Sequence, residues 1–139
     1  MDSREHDQRR QRILILLVDD DPDFAAEMLA ILGVRHDVTL AADSAAALQK
    51  VRDRKFDIAF VDLHLPRLLA PHDSEEGLAL IRLLSEQHHM RVVAITSSAG
   101  RDLEERCLIA GAAAFERKEN LSPERLASYL PVQQGKELS

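Results

Sequence analysis

The 139-residue sequence predicts an α/β fold: a doubly wound, five-stranded parallel sheet of order 2-1-3-4-5 with five helices. Three observations predict it. Short continuous apolar runs, Ile13–Val18 (ILILLV), Ile58–Val61 (IAFV) and Val92–Ile95 (VVAI), are rich in β-branched residues. Unbroken rather than alternating hydrophobicity marks strands covered on both faces, as in a parallel sheet. Stretches with apolar residues three and four apart follow the strands, so strand and helix alternate. Right-handed crossovers then put helices on both faces, and five strands suit the 2-1-3-4-5 order better than the six-stranded dinucleotide-binding order.

Taken in order, the first strand is Ile13–Val18. The first helix has Asp21 as N-cap, Pro22 in its first turn, an apolar stripe of Phe24, Met28, Ile31 and Leu32, and Gly33 at its end. A weaker run, His36–Ala41, fills the second strand slot; Asp43 or Ser44 then caps a helix carrying Ala47, Leu48 and Val51. Ile58–Val61 is the third strand, followed by the stripe Leu78, Ile81 and Leu84. Val92–Ile95 is the fourth, followed by Leu103, Cys107 and Ala110 and closed by Gly111. Ala112–Phe115 fits the fifth strand, and Ser122-Pro123 opens a helix with Leu126, Tyr129 and Leu130.

Length and composition bound the rest. A chain of this length with 45 % hydrophobic and 30 % charged residues is expected to form one domain, not a disordered chain. We assign residues 1–12 to a flexible arm, 13–130 to the domain and 131–139 to a tail or linker stub. The longest apolar run is six residues, far short of the roughly 20 a membrane helix needs, and the Arg-bearing start is unlike a signal peptide. The single cysteine, Cys107, excludes an internal disulfide and gives no zinc cluster; in an apolar stripe it reads as packing, and the expected compartment is the cytoplasm. The formal charge is −6; because residues 1–12 hold four Arg and three acids, residues 13–139 carry −7, which argues against direct nucleic-acid binding.

In such a sheet the ligand site lies at the carboxyl ends of the strands, where the order reverses. Four loops meet there. Asp19-Asp20-Asp21 follows the first strand, Asp62 and His64 the third, Thr96, Ser97 and Ser98 the fourth, and Glu116, Arg117 and Lys118 the fifth. A phosphate-cradling turn in this fold is rich in small residues with free backbone N–H groups, whereas three aspartates repel a phosphate and attract a cation. Oxygen ligands alone suit hard Mg²⁺ or Mn²⁺. Opposite that ion, Asp62 is an ionised carboxylate able to attack phosphorus, with Asp20-bound metal and Lys118 supplying positive charge and Thr96 a hydroxyl. Asp21 is assigned to capping.

The segments ILILLVDDDPDF, DIAFVDLHLP, VVAITSS and AGAAAFERK, in this order and spacing, resemble the receiver domain of two-component response regulators (a flavodoxin-like fold) from about Arg12 to Leu130. The resemblance implies phosphoryl transfer to Asp62 from a sensor histidine kinase or phosphotransfer protein. It implies Mg²⁺ held by Asp19 and Asp20 (chiefly Asp20), by Asp62 and by the backbone carbonyl of His64. Lys118 matches the phosphoryl-contacting lysine, Thr96 the switch hydroxyl, Ser97 the small residue beside it and Phe115 the aromatic that reorients. It also implies a signalling phosphoacceptor rather than an enzyme, acting on an output domain or a homodimer partner. The face used is the fourth helix, fifth strand and fifth helix, here about 101–110, 113–118 and 123–130. Nine residues after Leu130 are too few for an output domain, so a single-domain regulator or an excised receiver is expected.

Two departures stand out. Glu119 follows Lys118 where the family usually has proline, so a trans bond and a differently shaped loop are expected. Ten residues, Arg67–Glu76, separate Pro66 from Gly77, where about three are usual; loop entropy grows only slowly with length, so the insertion is cheap. Three rivals remain. A degenerate receiver would bind partners without phosphorylation. A small-molecule phosphatase would need an acid where His64 stands. A flavin carrier is disfavoured by the acidic first turn. None of the six histidines, His6, His36, His64, His72, His88 and His89, stands at a zinc spacing with the cysteine.

Overall fold

The computed structural model describes residues 12–71, 75–97, 100 and 102–131. The expected arm (except Arg12), the tail (except Pro131), His72 and part of the insertion, Ser98 and Arg101 lie outside the described residues.

Five strands, β1 (Leu14–Val18), β2 (Asp37–Ala41), β3 (Ile58–Asp62), β4 (Val92–Thr96) and β5 (Ala114–Arg117), form one parallel sheet of order β2-β1-β3-β4-β5. The helices are α1 (Pro22–Leu32), α2 (Ser44–Asp53), α3 (Glu76–His88), α4 (Leu103–Ala110) and α5 (Pro123–Tyr129). A 3₁₀ turn, Lys118–Asn120, follows β5. Alternate strand residues point to opposite faces, and this splits the continuous apolar runs between two cores. Leu16, Val18, Ala59, Val61, Val92 and Ala94 pack with α2, α3 and α4. Ile15, Leu17, Ile58, Phe60, Val93 and Ile95 pack with α1 and α5.

Local chemistry accounts for the element ends. Asp21 caps α1 by accepting from Asp23 and Phe24 N–H groups, and Asp43, rather than Ser44, caps α2 through Ala46 N–H. Gly111, at φ 117°, ends α4 in the left-handed region that favours glycine. Every strand differs from the sequence expectation by one or two residues: β1 and β2 begin one residue later, β3 and β4 each end one residue later, and β5 is shifted by two. β2 begins at Asp37, because the His36 N–H still bonds the Leu32 carbonyl at the end of α1, while its Nδ1 accepts from the Ile13 N–H. β5 runs Ala114–Arg117 rather than Ala112–Phe115: Ala112 N–H still bonds the Cys107 carbonyl, so the chain cannot pair until Ala113 N–H reaches Val92. Glu116 and Arg117 therefore lie in the strand and only Lys118 in the loop beyond it. Arg12 joins the fold, its guanidinium 3.0 Å from Asp37 at the start of β2.

Among the described residues no cis peptide bond occurs, in line with the trans geometry expected at Lys118-Glu119. Nor is any described helix long and apolar enough to cross a membrane.

Candidate functional site at the carboxyl edge of the sheet

The ladder aligns the strand ends. Val18 pairs with Val61, Asp62 with Ile95 and Thr96 with Arg117, so Asp19, Asp62, Thr96 and Lys118 all leave the sheet along one edge. β1 lies between β2 and β3, and the helices that follow β1 and β3, α1 and α3, pack on opposite faces. The order therefore reverses at the acidic turn.

The three aspartates divide the work. Asp19 N–H extends the ladder to the Ala41 carbonyl, and its buried side chain accepts from Asp21 N–H at 2.9 Å. Asp21 caps α1, leaving Asp20 exposed at the mouth. Asp62 is only 3 % exposed; its Oδ1 accepts from the His64 N–H at 3.3 Å. Lys118 arrives from the far side of the sheet and places Nζ 2.7 Å from Asp19 Oδ2 and 3.8 Å from Asp62 Oδ2. Its ammonium also stands 4.4 Å from the centre of the Phe24 ring.

Burial, then the neighbouring Asp19 charge, pushes the Asp62 carboxyl up to about 6, against the opposing pull of Lys118 and the His64 N–H. One oxygen each from Asp19, Asp20 and Asp62 lies within 4.8 Å of the others. Ligand oxygens around an octahedral Mg²⁺ stand about 3 to 4 Å apart, so small side-chain adjustments bring this set onto one ion. Three carboxylates against one ammonium also leave the charge a divalent ion would neutralise. The donor set fits a hard divalent cation.

The remaining predicted residues are distributed as follows. Thr96 is buried at the end of β4. Phe115 is half-buried, pairs with Ala94 and packs in the same core as Ala94, so it shares a sheet face with Thr96 two residues along. Ser97 and the His64 side chain are exposed.

Three features were not legible in the sequence. Glu76, read there as the last residue of a loop insertion, is a buried first-turn residue of α3. Its carboxylate accepts from the N–H groups of Leu68, Leu69 and Ala70 at 2.8–2.9 Å and from the Ser44 hydroxyl at 2.5 Å. Burial opposes its charge, but these donors together hold the carboxyl below its usual value. An acid directly before Gly77 was the available signal. That glycine is obligatory: a Cβ there would lie 2.4 Å from the Asp62 carbonyl oxygen. The second feature is the Phe24 ring beside Lys118. The third is Glu116, buried in β5 and bonded to Arg125 Nε at 2.6 Å and to the Tyr129 hydroxyl, which ties α5 to the strand.

Comparisons with known proteins agree with this fold. The profile of the response regulator receiver domain matches residues 15–130. A gliding motility regulatory protein of Myxococcus xanthus is 31 % identical over 124 residues, covering 86 % of this chain and 15 % of that protein. A CheY-like receiver domain protein of Methanospirillum hungatei superposes with a TM-score of 0.72 at 27 % identity, over 84 % of this chain and 89 % of that one. A Burkholderia pseudomallei response regulator, described with a phosphorylated aspartic acid and a calcium ion, superposes at 0.70 with 26 % identity, over 89 % and 69 %. The chain spans between 15 % and 54 % of the length of the curated relatives it matches.

Proposed function

The chain belongs to the response regulator receiver domain family, and from that premise we propose that Asp62 is its phosphoacceptor. The observation that carries the proposal is the convergence of a buried Asp62 with Asp19, Asp20 and the Lys118 ammonium. Without a metal ion, burial lifts this carboxyl to about 6, which still leaves it mostly ionised, as a nucleophile must be, at neutral pH. Its oxygen forms the new P–O bond as the P–N bond of a donor phosphohistidine breaks, the imidazole keeping the bonding electrons and taking a proton. Lys118 offsets the charge on the phosphoryl oxygens, and Thr96 offers its hydroxyl to one of them. Asp19, Asp20 and Asp62, with the His64 backbone carbonyl, would hold Mg²⁺ or Mn²⁺, which supplies further positive charge when bound.

The added phosphoryl group draws Lys118 and Thr96 toward it, and Phe115, on the same face as Thr96, transmits the change. We assign the responding surface to α4, β5 and α5, where Leu108 and Ile109 (71 % exposed) already present apolar side chains. A sensor histidine kinase or phosphotransfer protein is the proposed donor, an output domain or second copy the proposed target, and the cytoplasm the proposed compartment. The phosphorylated aspartic acid and calcium ion in the Burkholderia neighbour support the chemistry.

Incubation with acetyl phosphate and Mg²⁺, followed by intact mass, tests it. One phosphoryl adduct is expected, absent from Asp62→Ala. An unchanged wild-type mass would move the chain to the phosphorylation-independent binding class.

A further inference from the structure

We propose that Phe24 is a positioning residue for Lys118, its ring face holding the ammonium beside Asp62; this rests on the reading above that Lys118 serves the phosphoryl group. Lys118 reaches the site from beyond β5, with β4 and β3 between it and β1. Such a long side chain needs anchoring at its far end. Among the described residues three groups anchor it: Asp19 Oδ2 at 2.7 Å, Asp62 Oδ2 at 3.8 Å and the Phe24 ring centre at 4.4 Å.

The three anchors differ chemically. Both carboxylates belong to the set that fits a divalent ion, and Asp62 is also where the phosphoryl group arrives. Once their charge is shared with a cation, their hold on the ammonium weakens. The ring is neutral, cannot ligate a hard cation and does not repel an incoming anion as a carboxylate would. It still attracts an ammonium through its quadrupole. Of the three contacts, only the ring is independent of the charge state of the site.

The ring is also aimed by a rigid turn. Phe24 is the third residue of α1, behind Pro22, and the Asp21 carboxylate takes the N–H groups of both Asp23 and Phe24. Asp21 N–H in turn bonds Asp19. The acidic turn thus positions, through one short hydrogen-bonded segment, both the acid that pairs with Lys118 and the ring beside it. Phe24 is partly buried against the core of α1 and α5, and the ammonium stands over its ring.

Beryllofluoride, a phosphoryl mimic, is titrated at saturating Mg²⁺ against wild type, Phe24→Leu and Phe24→Tyr, with and without Lys118→Met. Leu keeps apolar bulk and removes the π face; Tyr keeps the face. Phe24→Leu is expected to weaken binding about threefold to tenfold, as an interaction of this class implies, while Phe24→Tyr retains it. Phe24→Leu should leave the Mg²⁺ midpoint unchanged and add nothing in the Lys118→Met background. Equal losses in the Leu and Tyr variants, or a Leu effect that persists without Lys118, would overturn the proposal by making the ring mere packing. Should wild type fail to bind beryllofluoride, the phosphoacceptor reading falls, and proton NMR still decides the ring contact. A ring-current upfield shift of the Lys118 ε-methylene, lost only in Phe24→Leu, supports it; a shift unaltered by Leu refutes it.

Discussion

Replacing Asp62 by Asn should make the metal-free protein more stable at neutral pH, although it removes the proposed phosphoacceptor. Asp62 is almost fully buried, and its carboxyl is raised from 3.8 to about 6, chiefly by burial and then by Asp19. The folded state therefore binds this proton more tightly than the unfolded chain does. Stability from this group is greatest below about pH 4, falls as pH rises toward 6 and is at its minimum above. About two pKa units at 1.36 kcal/mol each set an upper bound near 3 kcal/mol. Asn keeps an oxygen for the His64 N–H and carries no charge at any pH. We expect a gain of about 1–3 kcal/mol at pH 7.5 in EDTA, or roughly 3–10 °C in Tm for a domain of this size. Urea denaturation from pH 4 to pH 8 measures it, and the gap should close near pH 4. Saturating Mg²⁺ should also narrow it, because wild type keeps a charged ligand where Asn offers only a neutral amide oxygen. A variant less stable than wild type at pH 7.5, or a gap independent of pH, refutes the electrostatic account of this site.

Other perturbations test the surrounding scaffold. Gly77→Ala puts a Cβ 2.4 Å from the Asp62 carbonyl oxygen and 2.5 Å from Leu63 Cα, so backbone must move; denaturation should show a loss of about 1–3 kcal/mol or more. Glu76→Ala strips the acceptor from three N–H groups and from the Ser44 hydroxyl, which should cost about 2–4 kcal/mol and speed amide exchange at residues 68–70. Since the folded Glu76 carboxyl lies below 4.5, that difference between wild type and Glu76→Ala should be full above 4.5 and fade as pH falls through the folded value. Cys107 is buried and its thiol is pushed up to about 12, so a thiol reagent at pH 8 should label it only after unfolding.

Much of this molecule is written locally. Continuous apolar runs, helical stripes, the Asp21 cap and Gly111 each depend on residues a few positions apart, so their pattern could be read directly; crossover handedness put helices on both faces, and the count of five strands favoured the observed order. The positions of Asp19, Asp20, Asp62, Thr96 and Lys118 were legible for a related reason: a parallel sheet brings every strand's carboxyl end to one edge. β5 was misplaced by two residues because the Ala112–Cys107 bond that delays pairing leaves no trace in hydrophobicity.

Only the tertiary structure decided how those groups are shared. Sequence made the Asp19–Asp21 run a cation-attracting cluster with Asp21 as its cap; packing buried Asp19 and left Asp20 exposed. Sequence made Phe24 part of a helix stripe; the folded chain set its ring beside an ammonium 94 residues away. Glu76 sat unremarked in an insertion until Ser44 and three backbone N–H groups converged on it. Periodicity reports which face a side chain occupies. It carries no information on which atoms from distant segments meet there, and in a low-dielectric edge those distances set charge, proton affinity and chemistry.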